Sequence, residues 1–174
     1  NLWTKVDTSE KIFTEVIHVM RSNSLKVCLV KTGPTTPMIN VLELRPLRTD
    51  MYVTKSKSLR LLGRICFGIL IGNIRYPDDV YDRVWSPLFS KDEWVSLNTT
   101  LNIKSSSYHL PQRVMASAVT PQNVSRSLNI SLRTGSPTRE SPTTEFYLYM
   151  HFAELQTLKA SETRKFKILI DGQM

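Results

Sequence analysis

Phe146-Tyr147-Leu148-Tyr149-Met150-His151-Phe152 sets Phe146, Leu148, Met150 and Phe152 against Tyr147, Tyr149 and His151 in strict alternation. Successive side chains of a strand point to opposite faces, so a period of two marks a strand with one buried face. The spacing predicts that Phe146, Leu148, Met150 and Phe152 are buried, and that the other three are more exposed. Further on, Lys165-Phe166-Lys167-Ile168-Leu169-Ile170 repeats the pattern, with Phe166, Ile168 and Ile170 on one face and Lys165 and Lys167 opposite. Asp171-Gly172 then has the composition of a two-residue hairpin turn. A turn without its return strand leaves an unpaired edge, so the sheet reads as unfinished at Met174.

Working back toward the N-terminus, the elements are short and separated by turn residues. Ile12 to Met20 fits a helical stripe as well as a strand, and its β-branched residues tip it to strand. Lys26 to Val30 is a strand stopped by Thr32-Gly33-Pro34. Met38 to Leu44 follows, with Met38, Asn40, Leu42 and Leu44 on one face. Arg45 to Lys57 turns polar and reads as a connector. Leu59 to Ile71 is apolar but interrupted by Gly63 and Gly68. Arg75 to Trp85 is charged and aromatic, with Pro77 placed to begin a turn or one helical turn. Trp94 to Leu97, Leu101 to Lys104, Val114 to Val119 and Ser127 to Leu132 complete the series, and Gly135 to Pro142 is a loop by composition. Many short strands without α/β alternation predict an all-β fold of the sandwich type.

The bulk numbers are those of a globular chain: 41% hydrophobic and 22% charged residues over 174 positions. Lys and Arg outnumber Asp and Glu by 23 to 15, a formal charge of +8. The basic residues are scattered, and the densest pockets, Lys55 to Arg64 and Arg164 to Lys167, read as solvated surface ahead of an anionic-ligand site. No nucleic-acid-binding pattern accompanies the charge. The longest apolar run, Ile65 to Gly72, falls far short of the roughly 18 residues of a membrane span. The opening Asn1-Leu2-Trp3 carries neither a basic nor an apolar leader region, so no signal peptide is visible in this stretch.

Few residues suggest chemistry. Cys28 and Cys66 make no disulfide framework and no zinc spacing; Cys28, inside an apolar alternation, reads as a buried inert thiol, and a Cys28–Cys66 bridge stays open as an alternative. His18, His109 and His151 share no metal spacing, and His151 with Glu154 is a weak acid/base pair. Asp78-Asp79-Val80-Tyr81-Asp82 spells DDxxD, a magnesium–diphosphate pattern of all-helical enzymes. Its strand-rich context and the flanking Arg75 and Arg83 make a local ion-pair network the better reading. No catalytic, cofactor or metal residue is assigned. Three Asn-x-Ser/Thr triplets, at Asn98, Asn123 and Asn129, are N-glycosylation candidates on a secreted chain.

The runs KVCLVKTGPTTPMINVLELRPL, RYPDDVYDRVW and YLYMHFAELQTLKASETRKFKILIDG, with the opening NLWTKVDTSE, resemble the malectin-like extracellular region of plant leucine-rich-repeat receptor kinases. The likeness covers nearly the whole chain. It implies tandem malectin-like β-sandwiches: residues 1–47 as the end of the first, 48–58 as a connector, and 59–174 as most of the second, truncated at its C-terminal end. It also implies that Arg75, Tyr76, Pro77, Asp78, Asp79, Tyr81, Asp82, Arg83 and Trp85 form a structural turn tying the second sandwich together. One stretch departs from the family: Gly63-Arg64-Ile65-Cys66-Phe67-Gly68, followed by apolar Ile69-Leu70-Ile71, stands where an aromatic and Asp-Phe-Gly-like residues are usual.

By that resemblance the chain is an extracellular recognition segment without catalytic activity, the kinase lying elsewhere in a parent receptor. The implied ligands are a peptide, a co-receptor ectodomain or a cell-wall carbohydrate, with no cofactor, no nucleic acid, and a membrane only through other parts of the parent. The alternative is a truncated product acting as a decoy or without function. Cut sheets would make the isolated chain marginally stable.

Overall fold

The computed structural model describes residues 13–52, 55, 58–104, 107–132 and 146–172, and within them the chain is built of strands and extended segments with almost no helix. It divides into two compact units, Asn1–Arg64 and Ile65–Met174.

In the first unit, β1 (Val16–His18) pairs antiparallel with β2 (Ser58–Arg60), with Ile17 opposite Leu59. The ladder continues where the Leu61 amide donates to the Glu15 carbonyl. Beyond it, Arg64 meets Glu15 as a two-pronged fork, with nitrogen–oxygen distances of 2.9 and 2.6 Å. Burial alone would make the guanidinium easier to deprotonate, but the Glu15 carboxylate outweighs that and raises its pKa. The Arg64 guanidinium also lies over the Tyr52 ring. The departing stretch around Gly63 is therefore anchored by packing and charge.

In the second unit, β3 (Ile65–Phe67) runs parallel to β4 (Ser86–Leu88). Pro87 in β4 has no amide to donate, which suits an edge position. β5 (Trp94–Asn98) and β6 (Ser117–Pro121) form an antiparallel ribbon, with a single helical turn, α1 (Gln112–Met115), in the connection just before β6. Cys66, Ile69, Ile74, Trp85 and Leu110 make the buried core, flanked by Tyr108, Val114 and Met115. The end of β3 meets the ribbon at Gly68, whose carbonyl accepts from the Ser96 hydroxyl at 2.7 Å.

Several sequence expectations are corrected here. Lys26 to Val30, Met38 to Leu44, Leu101 to Lys104, Ser127 to Leu132, Phe146 to Phe152 and Lys165 to Ile170 carry no ladder strand. A period of two says which side chains share a face; a ladder also needs a neighbouring backbone. At Leu101 and Ile103 that neighbour is a side chain: the Gln112 amide donates to the Leu101 carbonyl and accepts from the Ile103 amide. Val114 and Met115, read as strand, lie in α1. The Gly135 to Pro142 loop and the Asn1 opening lie outside the described residues.

The burial expected for Phe146 to Phe152 is not met, although Tyr147 is exposed as expected. Phe146, Leu148, Met150 and Phe152 are 43–60% exposed, as are Phe166, Ile168 and Ile170 within the same range, whereas Tyr149 and His151 are half-buried. The two segments still lie side by side. Phe152 and Phe166 meet edge to face at 5.3 Å, and two residues along, Arg164 forks onto Glu154 at 2.6 and 2.9 Å. Both contacts fit one antiparallel register. The fork holds Glu154 down to about 2. Asp171 and Gly172 both have positive φ, 51° and 76°, as a primed two-residue turn requires.

Candidate functional site

The densest polar construction in the described chain is the segment Arg75 to Trp85. Its ends are closed by a bridge: the Ile74 amide donates to the Trp85 carbonyl at 3.0 Å, and the Trp85 amide to Ile74 at 2.8 Å. Between them the chain turns through a cis Tyr76–Pro77 bond. Asp79 sits at the centre with its side chain fully buried, facing Arg83, which is 2% exposed.

A buried carboxylate is tolerated only when its oxygens are satisfied. Asp79 Oδ2 accepts from Arg83 Nε at 2.8 Å and from Trp85 Nε1 at 2.7 Å, and Oδ1 accepts from the Tyr81 amide at 2.9 Å. The guanidinium is used on its other side as well. It donates to the carbonyls of Tyr108 at 3.0 Å and His109 at 2.7 Å, and it lies over the rings of Tyr81 and Trp85. Asp82 is held by a second fork, from Arg75 Nε and Nη2 at 2.8 and 2.6 Å, with the Tyr76 amide donating to the same carboxylate at 2.9 Å. Asp78, at the surface, meets Arg113 at 3.2 Å.

The three carboxylates of the DDxxD pattern thus face three different arginines and do not converge on one point. Among the described residues no group of His, Cys, Asp and Glu is placed to hold a metal ion. Nor do His151 and Glu154 form an acid/base pair, because Glu154 is engaged by Arg164.

An aromatic layer covers the knot. Tyr108 packs against Tyr149 at 5.6 Å and His151 at 5.1 Å, and Tyr81 against His109 at 6.3 Å. Tyr108, His109 and Arg113 were invisible to motif reading, since they reach the knot from far along the chain and nothing in their local pattern marks them.

Both cysteines are free thiols. Cys66 is buried, and burial pushes its thiol pKa up. Cys28 is exposed, against the expectation of a buried thiol, because the strand that would have turned it inward is not formed. Asn98, at the end of β5, and Asn123 and Asn129, in the chain after β6, are all exposed. Expression through a secretory pathway should therefore load one or more of them, and enzymatic removal of N-glycans should lower the apparent mass. An unchanged mass would argue against a secreted setting.

The second unit is thus β-rich and stapled by a buried Asp–Arg–Trp knot. The chain belongs to the malectin-like domain family, whose model matches residues 1–174. It is similar to a probable LRR receptor-like serine/threonine-protein kinase of Arabidopsis thaliana, 51% identical over 174 residues, 99% of this chain and 19% of that protein. It is also similar to a receptor-like protein kinase of the same plant, 49% identical over 178 residues, 100% of this chain and 19% of that protein. A putative leucine-rich repeat receptor-like serine/threonine-protein kinase from that plant is 47% identical over 179 residues, 99% of this chain and 20% of that protein. The chain spans about a fifth of the length of these relatives. The matched family is not a catalytic domain. No solved structure matches the chain.

Proposed function

We propose that this chain is the extracellular ligand-recognition segment of a plant receptor-like kinase, sensing a peptide, a partner ectodomain or a cell-wall carbohydrate. The observation that carries this reading is the malectin-like match along the whole chain, together with near-half identity to proteins named as receptor-like kinases. Exposure of Asn98, Asn123 and Asn129 is in keeping with a secreted setting. In this reading residues 1–47 belong to one sandwich, 48–58 connect, and 59–174 belong to a second. The knot of Arg75, Asp79, Asp82, Arg83 and Trp85 serves as its internal tie, and recognition falls to other surfaces. The decoy alternative has no observation of its own.

Immobilising the secreted, glycosylated chain on a glycan array, and in parallel against candidate co-receptor ectodomains and secreted peptides, tests the proposal. Saturable binding to one class, kept when the N-glycans are trimmed, is the expected result. Failure to bind in all three formats, with the chain folded by circular dichroism, would overturn it.

A further inference from the structure

The layer over the knot holds an ionisable group that the recognition reading does not use. His151 is half-buried, its ring 5.1 Å from Tyr108 in a T-shaped contact. Tyr108 is fixed from below, because its carbonyl accepts from Arg83. His151 and Tyr149, from one segment, thus straddle a single ring belonging to the loop that Arg83 clamps.

We propose that His151 is a proton-sensitive latch: as a neutral ring it docks the segment around Tyr149 to His151 on Tyr108, and as a cation it releases that segment.

The charges around it decide the sign. From the knot, Arg83 presents a permanent positive charge, and the carboxylate that balances it, Asp79, is bound within the knot by Arg83, Trp85 and the Tyr81 amide. From the clamped loop come Tyr108 and His109, whose ring meets Tyr81. From the segment itself come Tyr149 and Glu154, the latter paired with Arg164. A second cation beside Arg83 in a partly dry site is unfavourable.

Burial first, and Arg83 second, accordingly hold the His151 pKa below its ordinary 6.5. A depressed histidine means that the released state binds more protons than the docked one. Docking is therefore at full strength above 6.5 and weakens as pH falls through the window between that value and the docked pKa. Glu154, held at about 2, does not titrate in that window.

Two measurements by mass spectrometry at low protein concentration test the latch. Slow exchange of the imidazole C2 hydrogen gives the titration of His151, which should lie below that of a histidine in the urea-unfolded chain. Backbone exchange of the peptides covering 146–155 and 107–110 should rise, relative to the unfolded control, between about pH 7.5 and about pH 5. His151→Phe keeps a ring on Tyr108 without a titratable charge and should remove that step. His151→Lys carries the charge at every pH tested and should show the released pattern already at pH 7.5. Protection of the peptide containing Trp85 reports whether each variant keeps the knot. A step that survives in His151→Phe, or a His151 titrating as in the unfolded chain, overturns the proposal.

Discussion

Asp79→Asn should destabilise the second unit by about 3–5 kcal/mol, the usual cost of stripping one partner from a buried ion pair. The substitution keeps the shape and removes the charge. Arg83 is then left 2% exposed without the charge of Asp79, still donating to the carbonyls of Tyr108 and His109. A loss of that size consumes most of the margin of an ordinary domain. The urea midpoint, read by the fluorescence of buried Trp85 and Trp94, measures it. Trp85→Phe is the graded comparison. It removes one hydrogen bond to a charged acceptor and should cost about 1.5–3 kcal/mol. An Asp79→Asn midpoint within about 0.5 kcal/mol of the parent, the range of ordinary surface changes, would show that the knot does not hold the unit together.

Gly68→Ala should cost about 3 kcal/mol from two sources acting together. Gly68 has φ +75°, where a Cβ is strained whatever the space. The space is also taken: an added Cβ would lie 2.3 Å from the Ala118 carbonyl oxygen. That atom is backbone within β6, so relief requires the ribbon to back away from β3, breaking the Ser96 to Gly68 hydrogen bond. Gly72→Ala is the internal control. It also has positive φ, 65°, but nothing lies within 4 Å of the added Cβ, so only the backbone strain remains. Equal urea midpoints for the two variants would show that close approach at Gly68 is unimportant.

Segment type was more legible than segment partnership. Trp94 to Leu97 was read as a strand from its own residues and is β5. Phe146 to Phe152 had the stronger alternation and yet has no ladder, with its apolar side outward. The difference is tertiary: β5 finds β6 as an antiparallel partner, while the 146–152 segment meets the chain at 165–170 through side chains and the knot through Tyr149 and His151. A tyrosine and a histidine at alternate positions look like the wet face of a strand. They become the packed face when a clamped tyrosine ring is there to receive them.

The sequence by itself determined the β character of the chain, its malectin-like family and the pairing of Asp79 and Asp82 with the flanking arginines. These follow from local composition, from motif order, and from Arg75 and Arg83 standing on either side of those acids. Only the tertiary structure decided that Asp79 is the fully buried acid, that Arg83 reaches Tyr108 and His109, and that Gly68 abuts Ala118. Each of these depends on which distant backbone arrives at a given point. Hydrophobic period and turn residues specify faces and bends, but the neighbour that fills a face is chosen by the whole chain.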